Sequence, residues 1–163
     1  MPPFLDRSIA PSGAVVPPQA MNTGKFRSTF GVPLGETGTY RLAILNQGVL
    51  ASYKQNGEPG RWRGSAQEFA AHVPQGVEDL QVAEMLARIE TFVTAGKPTR
   101  NGLAPSGQGL EAVPITHPND LFVGEPARFR FLVDGKPAPA LEVTIIADGI
   151  RYRDQPGEVH LAT

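Results

Sequence analysis

Apolar side chains fall at every second position between Ala127 and Ala147, in two runs joined by a turn rich in Gly and Pro. Ala127, Phe129, Phe131 and Val133 share one side of an extended chain and Arg128 and Arg130 the other; Leu141, Val143, Ile145 and Ala147 repeat the pattern against Glu142 and Thr144. A period of two is the mark of a half-buried strand. Paired with each other, the runs would set Arg opposite Glu or Thr on the wet face. Asp134–Ala140 is too long for a two-residue primed turn, and its Asp-Gly and prolines predict a longer hairpin loop. Such a hairpin needs further strands or a second layer to cover its apolar face. The same punctuation runs through the chain, with 18 Gly and 16 Pro in 163 residues. That is too interrupted for a helical bundle, while 40% hydrophobic residues are too many for disorder. The expected fold class is all-β, with many short strands and one short helix.

Residues 1–24 read as a loose N-terminal arm in which only Ala14–Val16 is strand-like. A first β domain is expected over 25–97. It holds a strand in which Tyr40, Leu42 and Ile44 alternate with Arg41 and Ala43, a turn at Asn46-Gln47-Gly48, and a returning strand over Val49–Tyr53. A polar loop from Lys54 to Gly64 leads to a short helix in "SAQEFAAHV", opened by Ser65 as N-cap with Glu68 three residues on and closed by Pro74. Over residues 80–88 two patterns compete: Val82, Met85, Leu86, Ile89 and Val93 fit a helical stripe, whereas 86–95 reads as strand. Residues 98–108 have the composition of a linker. The second domain, 109–163, is expected to hold a strand at 110–115, the hairpin, and short runs at 150–153 and 158–162. Four or five strands fall short of the roughly seven of an immunoglobulin-like sandwich, so this unit reads as cut short.

A net charge of -1 and a pI of about 6.3 supply no field for nucleic acid or an anionic membrane surface. No stretch approaches the ~20 apolar residues of a spanning helix, so direct membrane insertion is not expected. The start, Met1 to Asp6, lacks the basic and apolar segments of a signal peptide. With no cysteine, disulfides and thiolate metal sites are excluded, and His, Asp and Glu are the strong ligands left. There is no Gly-x-Ser-x-Gly elbow, phosphate-binding Gly loop or His-Glu-x-x-His, and the chain reads as non-enzymatic.

Two sets of residues are candidates for binding. His72, His117 and His160 lack the short spacing of a preformed metal motif. His117 with Asp120 is the first choice for a metal site and His160 or His72 the second, beside their structural roles in turn, strand and helix end. The second set is "GRWRG", where Arg61, Trp62 and Arg63 sit between two glycines with Tyr53 a short way off. An indole flanked by guanidinium groups can stack a sugar or a base; equally, it can plug the end of a sandwich while the arginines face water. Charge is mildly polarised, six Lys or Arg against two Glu over 25–64 and five acidic residues against one Arg over 65–95. This can orient a partner or simply solvate a surface.

Three stretches, "SYKQNGEPGRWRG" (52–64), "ARIETFVTAGKPT" (87–99) and "GLEAVPITHPNDLFVGEPARFRFLVDGKPAPALEVTIIADGIRYR" (109–153), together resemble a bacterial domain-of-unknown-function family. Its members carry the label of periplasmic components of ABC-type cobalt or nickel uptake. The resemblance implies two tandem β-sandwich units in an exported, periplasmic protein, the second akin to transthyretin-like domains. It also implies that the first lacks N-terminal strands and the second its last ones, with a tendency to associate through exposed sheet edges. The implied function is that of a non-enzymatic accessory protein working with membrane transporter components, with nickel or cobalt, and iron as a further candidate, as cargo. The other reading is a protein- or carbohydrate-binding module using the Trp62 surface.

Overall fold

A computed structural model describes Leu5, Asp6 and Ser8–Thr163. The chain is mostly β, with several antiparallel sheets and one short helix. It forms two compact units, the first ending at Ala104 and the second spanning Pro105–Thr163.

In the first unit, short strands β1 (Leu5–Asp6), β2 (Ser8–Ile9) and β3 (Val15–Val16) precede a separate hairpin of β4 (Gln19–Thr23) and β5 (Ser28–Gly31). The spine is β6 (Gly38–Gln55), followed by β7 (Glu58–Gly64), helix α1 (Ala66–His72) and β8 (Glu78–Ala95). The expected N-terminal arm, 1–24, begins in residues outside the description. Ser8–Ala10 is built in, since Ile9 pairs with Arg41 and Ser8 and Ala10 are buried, whereas Gln19–Thr23 is exposed along its length. Strands of two residues leave no period for a sequence to display.

β6 runs unbroken through Asn46-Gln47-Gly48, where a turn was expected. Gly48 stays in the ladder through its pairing with Met85 of β8, and a glycine suits the place because a Cβ there would sit 3.1 Å from the Gly64 carbonyl oxygen. The reversal comes instead at Asn56-Gly57, both at positive φ (54° and 80°), with Gln55 opposite Glu58. An Asn-Gly pair matches the twist of a two-residue hairpin. The expected polar loop is therefore largely strand β7. Residues 80–88, ambiguous in sequence, are strand like 86–95, because β8 pairs with β6 from Gly38↔Ala95 to Lys54↔Glu78. Pairing along this length outweighs the helical spacing of its apolar residues.

The expected alternation in the first half of β6 is replaced by burial on both faces. Tyr40, Ala43 and Leu45 are buried, and so is Arg41, whose Nε lies 3.9 Å from a Glu90 carboxylate that also holds Arg88 at 2.8 Å. Leu103, in the 3-10 turn Asn101–Leu103, is also buried.

Among the described residues β8 pairs only with β6, so its other edge presents an unmatched row of N–H and C=O groups. Ile89, 70% exposed, lies along it. Concentration-dependent self-association is expected in light scattering, relieved by Ile89→Lys; a constant monomer mass over the same range would contradict it.

The second unit contains β9 (Leu110–Pro114), β10 (Phe129–Val133) and β11 (Lys136–Pro137) in one sheet, and β12 (Glu142–Ile145) with β13 (Val159–Ala162) in another. The two runs of the expected hairpin do not pair with each other. Asp134 and Gly135, at φ 50° and 74°, close a two-residue turn that puts Val133 opposite Lys136, and Pro137 and Pro139 then end the returning strand. β10 takes β9 as its other neighbour, and β12 takes β13. The buried residue of β10 is Leu132, not Phe129 or Val133, which are 42% and 39% exposed. Residues 150–152, expected as a strand, form a 3-10 turn after Gly149.

Candidate functional site

The second half of β6 lies between β7 and β8, and alternation divides the "GRWRG" residues between the two faces of this sheet. Trp62 and Tyr53 project to one face, Arg61 and Arg63 to the other. On the first face the two glycines make room for rings: a Cβ at Gly60 would run into the Tyr53 ring, and one at Gly64 into the Trp62 indole. Helix α1 then covers Trp62. Phe69 meets the indole edge-on with centroids 5.6 Å apart, and His72 stacks on it at 6.0 Å and 23°. Trp62 thus packs intramolecularly, and His72 takes part in that packing, with Nδ1–H directed at the Glu68 carbonyl (3.0 Å).

The helix that performs this covering is set by its capping box. Ser65 Oγ accepts from the Glu68 N–H at 3.3 Å and donates to the Glu68 carboxylate at 2.8 Å, and the Ser65 N–H donates to the same carboxylate at 3.2 Å. The hydrogen bond from the Ser65 side chain, then that from its backbone, holds the Glu68 carboxyl below the usual value of 4.5. Because the folded value is depressed, this support is present above the unfolded value and is lost as pH falls through the folded one. Trp62 emission is expected to change on acidification below 4.5 as α1 loosens, and Ser65→Ala to move that midpoint upward. An identical midpoint in both proteins would remove the capping box as its cause.

The opposite face is open. A groove of about 690 Å³ crosses it, lined by residues 50–52 of β6, 61–63 of β7 and 81–83 of β8. The register lays two cross-strand rows along it, Arg63–Leu50–Ala83 and Arg61–Ser52–Gln81. The residues between these rows turn their side chains to the α1 face, so their backbone forms the floor. Arg61 and Arg63 are exposed, and neither has an ion-pair or hydrogen-bond partner among the described residues. Ser52 and Gln81 are not legible as site residues in the sequence, since Asn46-Gln47-Gly48 has the composition of a turn and 80–88 fits a helical stripe as well as a strand. The signal that could have found them is Asn56-Gly57, which sets the register of the hairpin.

The metal candidates each have a local structural contact. His117 is buried, and its Nδ1 accepts from the Asn119 N–H at 3.1 Å, capping the turn Pro118–Asp120. Asp120 is exposed and gives its own N–H to the His117 carbonyl at 2.8 Å. His160 faces Thr144 across β12 and β13 at 3.2 Å and approaches Glu158 at 3.4 Å. No three His, Asp or Glu among the described residues come together as metal ligands.

The family described as Domain of unknown function (DUF4198) matches residues 5–163, a span that takes in all three resembling stretches. The chain belongs to the DUF4198 family. No curated protein and no solved structure matches it. DUF4198 membership thus covers both units, the groove and all three histidines.

Proposed function

We propose that the chain is a non-enzymatic binding module whose working surface is the open groove over β6, β7 and β8. The observation that carries this reading is the Arg61 and Arg63 pair, two cations lining a concavity with no carboxylate paired to them among the described residues. What sets this pair apart is its placement: two guanidinium forks on one strand line the same groove of small-molecule size, the kind of convergent charge that binds an anionic ligand. The histidines support the non-enzymatic side of the reading. Each already has a structural contact, His72 in a stack, His117 in a cap and His160 in a cross-strand pair.

The two units are taken as immunoglobulin- or transthyretin-like sandwich domains. Supporting this for the second unit, Phe129, Val133 and Leu110 share one face of β9 and β10, and Ile145, Val159 and Leu161 one face of β12 and β13, each at least 39% exposed as sandwich inner faces would be before a second layer covers them. In the setting that the family resemblance implies, the module is an exported periplasmic accessory of nickel or cobalt uptake, presenting its groove to cargo or to transporter components. It does so without gripping a bare ion through His117 and Asp120.

Thermal melts with nickel, cobalt, organic acids and neutral oligosaccharides test this, since a ligand of the folded state raises Tm by mass action. An organic ligand is expected to raise Tm in the wild type and not in Arg61→Gln/Arg63→Gln. A rise caused by nickel or cobalt alone and kept in that variant would overturn the reading in favour of a metal site.

A further inference from the structure

From the two rows of the groove, we infer that its ligand is a small organic polycarboxylate carrying a hydroxyl or carbonyl group. The inference rests on the binding-module reading above and adds the ligand class. Arg61 and Arg63 are two positions apart on one strand, so their Cα atoms are about 6.6 Å apart and their guanidinium forks reach the same side. A planar fork matches a carboxylate through two parallel N–H···O bonds, and two forks at this spacing match two carboxylates on a short carbon skeleton.

The rest of the lining differs row by row. Beyond Arg63 lie Leu50 and Ala83, which suit hydrocarbon; beyond Arg61 lie Ser52 and Gln81, which offer a hydroxyl and an amide to a polar substituent. The floor disfavours phosphate. The phosphate sites built on unused backbone N–H groups have no counterpart here, since residues 50–52 are paired on both sides, with β7 and with β8, and sulfate is the control for binding through the arginine forks alone. Size argues against a polymer: three strands span roughly 10 Å, and about 690 Å³ is the volume of a small-molecule pocket. The neighbouring Lys54 of β6 is already paired, with Asp79 of β8 at 2.7 Å.

Isothermal titration calorimetry of the full chain with citrate, sulfate and maltose tests the inference. Citrate is expected to bind saturably, with affinity falling roughly ten- to hundred-fold per arginine removed in Arg61→Gln and Arg63→Gln, the range for loss of a charge-assisted hydrogen bond. Arg61→Lys/Arg63→Lys keeps the charge without the fork and is expected to lose most of the affinity as well. Both arginines are exposed and unpartnered among the described residues, and a circular dichroism melt of each variant separates lost binding from lost folding. Sulfate binding as tightly as citrate, or full affinity in the lysine variant, would overturn the carboxylate assignment. Arginine-dependent binding of maltose without citrate would overturn the ligand class while leaving the binding-module reading intact. No heat with any of the three would overturn the polycarboxylate inference, and no Tm rise across the wider ligand panel would overturn the binding-module reading itself.

Discussion

Glu111→Ala is expected to destabilise the second unit by about 3 kcal/mol, the cost of stripping a buried carboxylate from its donors. Glu111 is 1% exposed. One of its oxygens accepts from the Ser106 N–H at 2.7 Å and the Ser106 hydroxyl at 2.9 Å, and the other accepts from the Gly107 N–H at 2.7 Å. The carboxylate therefore ties the chain that leads into β9 to the strand itself, and the bonds are charge-assisted and short. Alanine leaves two backbone donors without an acceptor in a place that water enters only if the loop opens. Glu111→Gln keeps the shape and one good acceptor but turns an NH₂ group toward a donor, so about half the loss is expected. Urea unfolding gives both values, and hydrogen exchange at Ser106 and Gly107 should accelerate in the alanine variant. A loss within about 0.5 kcal/mol, the range of an ordinary surface change, would mean the loop is held by something else.

The second large effect is expected at Gly38, where β6 begins. Its φ of 140° is one that side-chain-bearing residues rarely adopt, and a Cβ there would lie 2.6 Å from Thr99 Oγ1 and 2.7 Å from Pro11 Cγ. Thr99 cannot yield cheaply. Its Oγ1 accepts from the Thr39 N–H at 3.1 Å while its own N–H donates to Thr39 Oγ1 at 3.2 Å, and Thr39 Oγ1 is also 2.9 Å from Thr94 Oγ1 on β8. Thr39 is fully buried. Gly38→Ala thus combines backbone strain with the breaking of a reciprocal pair, about 2–4 kcal/mol together. For a unit of about 100 residues this lowers Tm by roughly 10 °C or more. A thermal melt decides it: an unchanged Tm would show that Pro11 and Thr99 move aside freely.

Gly38 and Glu111 mark where local reading stops. The capping box of Ser65 and Glu68 was legible because every atom it needs lies within four residues. The all-β class was legible for a similar reason, since glycine and proline spacing is a property of the chain alone, and the strand at 86–95 showed in the β-branched and aromatic residues of Glu90–Thr94 against a competing helical stripe. By contrast, a Glu in "LEAVP" looks like a wet-face residue, and its burial follows only from the loop at 106–107 folding back on it. Phe129 and Val133 look like core residues, yet Leu132 took that place, because the two-residue turn at Asp134-Gly135 gave β10 different neighbours from those its pattern suggested.

The candidate site divides in the same way. The sequence by itself marked Arg61, Trp62 and Arg63 as unusual, because two guanidinium groups and an indole between glycines are conspicuous in any context. Which of them face a ligand was decided by tertiary structure. Helix α1 lies over the Trp62 face and leaves the arginine face open, and the 18-residue β8 brings Gln81 and Ala83 beside Ser52 and Leu50 from some thirty positions away. A strand pattern states that alternate side chains part company, but the covering of one face and the exposure of the other depend on contacts between segments distant in sequence.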